Sequence, residues 1–279
     1  MERVPQRRIA PAPQPGGLER FSGAIERDIV PRLLEAHRAG PYPPGMLMAA
    51  ADLRARVDAD AGKPGIAGGH VTELVRCLCG PDDEAVDRYL EAVLDAGVSC
   101  EAVYLDLLAP AARELGVMWE EDSCDFVQVT LALGRMQRAL RSLSHLFLAG
   151  ATRETPAGRI FLTCLPNEQH TLGLVMVAEF FVRAGWWVDL GHPLSESELL
   201  HSVGGDWYDV VGVSVACDTS LSRLKRELQA IRRGSRNPSV RVMVGGRAFD
   251  ANPDLVRRVG ADATAADARE APEAAAALI

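Results

Sequence analysis

The chain has 279 residues, of which 48% are hydrophobic, and it carries a formal net charge of −8. At roughly 150 residues per domain, this length predicts two domains with enough apolar residues for two cores. The acidic balance argues against a general nucleic-acid-binding protein, because phosphate contact needs a clustered positive face, so we expect little direct nucleic-acid affinity.

The sequence also lacks the patterns of membrane and secreted proteins. No apolar run reaches the ~18 residues of a membrane-spanning helix, and no apolar signal segment follows Met1. The six cysteines are scattered, and none has the neighbours that would complete a zinc site. We therefore predict a cytoplasmic protein with free thiols and no membrane contact.

The first half of the chain has a helical pattern. Residues 1–17 are rich in proline and glycine and are predicted to form a disordered arm, and residues 18–150 are predicted to form a helical bundle. Ser99 is a candidate N-cap, and Pro110 is expected to kink its helix. The longest apolar stripe recurs about every 3.5 residues, at Phe126, Val129, Leu133, Met136, Leu140, Leu143 and Phe147.

The pattern changes after a polar linker at residues 151–158. Residues 159–279 alternate short apolar runs with helices, which predicts an α/β domain with a doubly wound parallel sheet of the flavodoxin-like, or Rossmann-like, kind. Five strands are predicted, at 160–165, 186–190, 210–215, 240–244 and a short run at 262–265. Neither a Gly-x-Gly-x-x-Gly turn nor a P-loop follows the first strand, so a nucleotide is not the indicated ligand.

Candidate ligand-binding residues follow three of these strands. Open α/β sheets bind ligands at the carboxyl ends of their strands. Glu168, His170 and Gly173 come after the first strand, Ser214 ends the third, and Gly245-Gly246 follows the fourth. A histidine in a turn is usually only a solvated or capping residue, and a glycine pair can be a simple turn. The interpretation therefore depends on how these residues are spaced.

That spacing resembles a known signature. Residues 159–279 resemble the cobalamin-binding domain, whose motif is Asp-x-His-x-x-Gly, about forty residues, Ser-x-Leu, fewer than thirty residues, and Gly-Gly. Here 40 residues separate Gly173 from Ser214, and 28 separate Ala216 from Gly245. The stretch 108–119 resembles the helical cap of the same family. Over residues 18–279, the chain most resembles the AerR/PpaA-type antirepressors of phototrophic bacteria, notably at 25–34, 103–108, 119–122 and 235–238.

The resemblance implies a cofactor and roles for individual residues. The cofactor is cobalamin, as adenosylcobalamin or hydroxocobalamin, with its benzimidazole base displaced and buried as a tail. His170 is then the cobalt ligand, Glu168 its hydrogen-bonding partner, and Trp119 the cap residue that covers the upper axial group. Of the residues around the tail, Gly173 leaves space, Ser214 hydrogen-bonds it, and Gly245 and Gly246 line its channel.

The sequence departs from the family pattern at three places. Glu168 stands where the motif has aspartate, and Ala216 where it has leucine. Light sensors of the carotenoid-repressor type carry Trp-x9-Glu-His, but the corresponding residues here are Val129 and Thr130. The upper histidine that captures cobalt after photolysis is therefore missing from that position, and a light response would need another ligand or water.

Several functions remain open at this point. The first is a non-enzymatic, light-responsive, cobalamin-binding regulator, which acts as an antirepressor on a transcription-factor partner in the control of photosynthesis or tetrapyrrole genes. The second is a corrinoid methyl carrier of a methyltransferase system, and the third is a haem-binding variant with His170 as iron ligand. A cofactor-free response module is the least specific alternative. It would need an acidic phosphoacceptor at the end of the third strand, and the nearest acid after that strand is Asp218.

Overall fold

The computed structural model describes residues 68–149, 157–166, 168, 171–193, 195–215, 221–246, 249 and 254–279. The predicted arm (1–17), the first part of the predicted cap (18–67) and most of the predicted linker lie outside the described residues. His170 and Ala216 also lie outside them. The predicted domain boundaries therefore stay predictions.

The first described elements are four helical runs. They are α1 (Gly68–Cys79), α2 (Ala85–Asp95), α3 and α4 (Phe126–Leu148). Helix α3 has three consecutive parts, which are Cys100–Ala102, a π-helical segment Val103–Leu108, and Ala109–Glu120. The stripe predicted on α4 contributes Met136, Leu140, Leu143 and Phe147 to the core, whereas Phe126 and Leu133 are exposed.

Local sequence explains how α3 and α4 begin. The Ser99 hydroxyl accepts a hydrogen bond from the Ala102 amide at 3.1 Å, which confirms the predicted N-cap. Asp125 and Gln128 form a reciprocal capping box before α4. A π-helical segment, Val103–Leu108, ends two residues before Pro110, where we predict a kink. A wider turn there accommodates a residue that lacks an amide proton and crowds the preceding carbonyls.

The second part of the chain is a parallel sheet with helices on both faces. Its strands are β1 (Arg159–Cys164), β2 (Trp187–Gly191), β3 (Val210–Ser214) and β4 (Arg241–Gly245), in the order β2-β1-β3-β4. Helices α5 (Leu172–Arg183) and α9 (Ala271–Ala276) pack on one face. The other face carries α6 (Glu196–Gly205), α7 (Leu221–Gly234) and α8 (Asp254–Val259). Strand β1 shows the alternation, since Ile160 and Leu162 face α5 while Phe161 faces α7.

The predicted fifth strand is wrong. In the described part of the chain the sheet has four strands, and residues 262–265 contribute only one isolated bridge, between Ala263 and Met243. The Asp262 carboxylate accepts the Val242 amide at 2.7 Å and also pairs with Arg232. This side-chain contact takes a donor that a regular ladder would use. The backbone bonds to β4 in this run are those from the Asp262 amide to the Val242 carbonyl and from the Val244 amide to the Ala263 carbonyl.

The helical bundle packs directly on the sheet domain through α5. Met176 and Phe180 of α5 belong to the same buried cluster as the cores of α1 to α4. The rings of Phe147 and Phe180 meet edge to face at 4.8 Å, and Tyr104 stacks on Phe147 at 4.6 Å. None of the helices in the described ranges is both long and apolar enough to cross a membrane.

Replacing Asp125 by alanine tests the capping of α4. The change removes the acceptor for the Gln128 amide, so we expect the free energy of unfolding to fall by about 1 kcal/mol in urea titrations followed by circular dichroism. Glu91→Ala, at an exposed site in the middle of α2, is the control and should stay within about 0.5 kcal/mol of wild type. Equal losses in the two variants would contradict the capping role.

Glu227 gives the fold a specific pH dependence. Burial raises the pKa of this α7 carboxyl above its ordinary value, and Glu196 adds to the rise, while Arg223 and Arg226 oppose it. Its Oε2 is buried without a hydrogen-bond partner among the described residues. The folded protein therefore binds this proton more tightly than the unfolded chain, and the group's stabilising effect grows as pH falls through the raised pKa.

We therefore expect Glu227→Gln to raise the thermal unfolding midpoint at pH 8, because it removes a buried ionised carboxylate. The gain should shrink as the pH falls toward the raised pKa, because wild-type Glu227 then binds its proton. Calorimetry across this range checks the sign, and Glu198→Gln on the exposed side of α6 is the matched control. A gain that is independent of pH would show that ionisation of Glu227 does not limit stability.

Candidate functional site

A cavity of about 220 Å³ lies between the sheet and α5. Its floor comes from β1, β3 and β4, its near wall from α5, and its far wall from residues 265–268 and Ala271. The cavity reaches from the carboxyl ends of the strands down to Ile160 at the start of β1. Four of the residues predicted from sequence line it together, namely Gly173, Ser214, Gly245 and Gly246.

Ser214 and Gly245 lie side by side at the carboxyl edge of the sheet. They are paired in register as the last residues of β3 and β4, and the Val215 amide donates to the Gly245 carbonyl at 2.9 Å. A Cβ atom placed on Gly245 would meet no atom within 4 Å. The missing side chain therefore leaves open space beside the Ser214 hydroxyl, where a ligand can approach the backbone closely.

Gly246 is required for a different reason. Its φ of +117° favours glycine, and a Cβ atom there would lie 2.1 Å from the Val215 carbonyl oxygen. Only glycine can therefore join β4 to the following segment at this point. The two glycines of the pair have separate roles, since Gly246 shapes the backbone and Gly245 keeps the cavity open.

Gly173 opens the other wall of the cavity. It lies in the first turn of α5, and no atom is within 4 Å of where its Cβ would be. Leu174, Val177 and Phe181 continue this wall along the same side of the helix. The result is a mostly apolar slot with the Ser214 hydroxyl at its mouth, which suits a flat apolar ring that carries one polar atom.

The turn after β1 is only partly described. The Glu168 amide donates to the Leu165 carbonyl at 3.0 Å, and the Cys164 thiol lies 3.8 Å from the Glu168 carbonyl oxygen. The same thiol lies 3.9 Å from Nδ1 of His192, which follows β2. Burial raises the pKa of Cys164, so this thiol is protonated at neutral pH. It ties the turn to the sheet.

Trp119 lies apart from the cavity. It is near the end of α3, 48% exposed, with its ring edge to face against Phe126 at 6.3 Å. Phe126 is 70% exposed, so the two rings form an apolar surface of the bundle. Thr130, one turn further along α4, donates its hydroxyl to the Phe126 carbonyl at 2.7 Å. The structure thus brings four predicted residues together and leaves Trp119 elsewhere.

Sequence reasoning missed the far wall. Ala265, Ala266, Asp267 and Ala268 line the cavity opposite α5, together with Ala271. The signal was the alanine-rich run 261–268, in which small side chains suit a wall that must leave room. We predicted part of this run as a strand and therefore did not consider it as a site. Within the described residues, no three His, Cys, Asp or Glu side chains gather in a metal-binding cluster.

Comparison with known families identifies the kind of protein that contains this cavity. Residues 158–276 match a family described as B12 binding domain, and residues 71–144 match a second family with the same description. The chain belongs to the B12-binding domain proteins. Cobalamin is its cofactor, and the small-residue cradle of Gly173 and Gly245 fits a buried flat group. The match to 71–144 places the helical bundle within the B12-binding architecture.

Relatives of this B12-binding protein include a 20.5 kDa protein from the bchF-crtJ intergenic region of Rhodobacter capsulatus. It is 28% identical over 180 residues, which cover 63% of this chain and 92% of the relative. A corrinoid protein of Desulfitobacterium hafniense is 22% identical over 205 residues, covering 73% and 94% of the two chains. The solved monomethylamine corrinoid protein of Methanosarcina barkeri superposes with a TM-score of 0.61 at 16% identity, over 83% of this chain and all of that one. This last similarity shows a shared fold.

The two cavity glycines can be tested with a matched pair of variants. Gly245→Val would place a side chain into open cavity space, so the protein should fold with wild-type stability but lose at least about tenfold in cobalamin affinity. Gly246→Ala would clash with Val215 at a positive φ and should lower the free energy of unfolding by roughly 1–3 kcal/mol. Titration with hydroxocobalamin, followed by absorbance, and urea unfolding distinguish the two. Normal cobalamin binding by Gly245→Val would contradict the assignment of the cavity.

Proposed function

We propose that this B12-binding protein is a cobalamin-dependent regulator that acts on a DNA-binding repressor. The observation that supports it most is the shared helix α5. One side of α5 lines the cofactor cavity, and the other side is buried in the bundle. A change in the bound cofactor can therefore alter how the bundle packs, provided that the cofactor binds two arrangements unequally. The surface of the bundle is what the partner would read.

The proposed cofactor contacts follow the sequence prediction residue by residue. His170 would ligate cobalt, with Glu168 as its hydrogen-bonding partner, and bound cobalamin supplies a cobalt centre whose upper ligand can change. Ser214 would hydrogen-bond the tail inside the cavity. Trp119, with Phe126 beside it, would shield the upper face. The cavity residues support this arrangement because four of them lie where the tail would be buried.

Light sensing would require a ligand other than a histidine from α4. The positions that carry Glu-His in the light sensors hold Val129 and Thr130, and the Thr130 hydroxyl already bonds to the helix backbone. An upper face with water or an exchangeable ligand is therefore what we propose. Hydroxocobalamin is accordingly the form to test first.

A corrinoid methyl carrier is the second candidate. The names of the Desulfitobacterium and Methanosarcina relatives favour it, as both are called corrinoid proteins. The similarity to a protein from the bchF-crtJ intergenic region favours the regulator, because of where that relative is encoded. The matches to B12-binding families favour cobalamin over the haem-binding alternative.

The decisive measurement combines spectroscopy with capture of a partner. Wild-type protein and His170→Ala are mixed with hydroxocobalamin in the dark and after illumination, with His145→Ala on α4 as the control. We expect the cobalt spectrum to shift in wild type and the control, and the shift to be absent in His170→Ala, because the imidazole ligand is gone.

The same samples are then used to capture a purified repressor of the host organism. Cobalamin-dependent capture by wild type supports the regulator. Methyl transfer from a corrinoid methyltransferase to this protein, without capture of a repressor, would instead support the corrinoid methyl carrier. A cobalt spectrum that shifts in His170→Ala as it does in wild type would remove His170 as the proposed ligand.

A further inference from the structure

The bundle touches the cofactor domain at a second place, around Glu101. This residue lies in the first turn of α3, and its two carboxylate oxygens bind two different elements. Oε2 lies 3.3 Å from Nη1 of Arg183 at the end of α5, and Oε1 pairs with Nε of Arg269. The Glu101 side chain is 29% exposed and is partly shielded from water, whereas the Arg269 side chain is 55% exposed.

Both arginines are attached to walls of the cavity. Arg183 ends the helix whose Gly173, Val177 and Phe181 form the near wall, and its guanidinium also lies over the Phe147 ring at 4.6 Å. Arg269 directly follows the far wall, 265–268. Glu101 is thus a single side chain of the bundle that holds the near and far walls of the cavity at once. We call Glu101, Arg183 and Arg269 the clasp.

Neighbouring contacts make the clasp stiff. The Tyr104 hydroxyl, one turn along α3, donates to Glu179 of α5 at 2.6 Å. Tyr104 is fully buried, and its pKa is raised by burial and by the Glu179 carboxylate, so it stays a neutral donor. Ala268, between the far wall and Arg269, packs on the core of the bundle. Both walls are therefore in direct contact with the first part of α3 or with the core of the bundle.

We infer that Glu101 is a positioning residue for cobalamin, which sets the width of the tail cavity from the bundle side. This rests on the proposed function, in which the bundle reports the state of the cofactor. Cobalamin in the cavity should favour the distance between the near and far walls that the clasp maintains. The clasp and the cofactor should therefore stabilise each other reciprocally. Glu101 lies outside the sequence signature of the cofactor domain and acts through Arg183 and Arg269.

A double-mutant cycle in the full-length chain tests this inference. Glu101→Gln should weaken binding of hydroxocobalamin about fivefold, and Arg269→Gln by a similar factor. The double variant should resemble Glu101→Gln, because that change already removes the ion pair with Arg269. Arg269→Lys keeps the ion pair and should stay within about twofold of wild type. Glu91→Gln, on the exposed face of α2, is the neutral control.

Hydrogen exchange supplies a readout that a purely structural role would not change. In wild type, cobalamin should add protection both to 265–271 and to 100–108. In Glu101→Gln, the protection should appear at 265–271 only. If Glu101→Gln fails to fold, Arg269→Gln at its exposed site serves the same measurement.

Three outcomes separate the possibilities. The clasp would be overturned if Glu101→Gln bound hydroxocobalamin with wild-type affinity. It would also be overturned if the loss of affinity in the double variant equalled the product of the losses in the two single variants. If Glu101→Gln and Arg269→Gln both weaken cobalamin binding as expected while wild type captures no repressor in a cobalamin-dependent way, that result would support the clasp and overturn the proposed regulator. If Glu101→Gln lowered the free energy of unfolding equally with and without cobalamin, Glu101 would contribute only a structural ion pair.

Discussion

The burial of α5 between two partners is the constraint on which the rest of the structure depends. Its apolar residues point in two directions, toward the sheet through Leu174 and Phe181 and toward the bundle through Met176 and Phe180. A surface helix normally has one apolar stripe, whereas a helix that is apolar on most sides must be covered on most sides. The bundle therefore covers the side of α5 that the sheet leaves exposed, and the opposite side of α5 lines the cavity.

How much of this could be predicted differs from one feature to the next. Alternation of apolar runs with helices predicted the parallel sheet, because strand and helix periods differ along the chain. The spacing from Gly173 to Ser214 and on to Gly245 predicted which residues meet, since strand ends of a parallel sheet share one edge. His170 and residues 18–67 lie outside the described ranges, so those predictions remain open.

Other features depend on contacts that sequence patterns do not encode. The run 262–265 is apolar enough for a strand, but the Asp262 side chain competes with the backbone for the Val242 amide. The alanine-rich wall and Glu101 were missed for a related reason. Glu101 and Arg269 are 168 residues apart along the chain, and no local period connects them. Contacts of this kind follow only from the assembled fold.

The π-helical segment Val103–Leu108 also determines where Trp119 points. Tyr104 inside this segment is fixed to α5, while Trp119 lies at the far end of the same helix. A π-turn holds one more residue than an α-turn, and each residue of an α-helix advances by about 100° around the axis. A regular α-helix of the same sequence would therefore turn Trp119 and its neighbours by about a quarter of a circle relative to the anchored tyrosine. The angular position of Trp119 about its helix is thus set about fifteen residues away, by one irregular turn near Pro110.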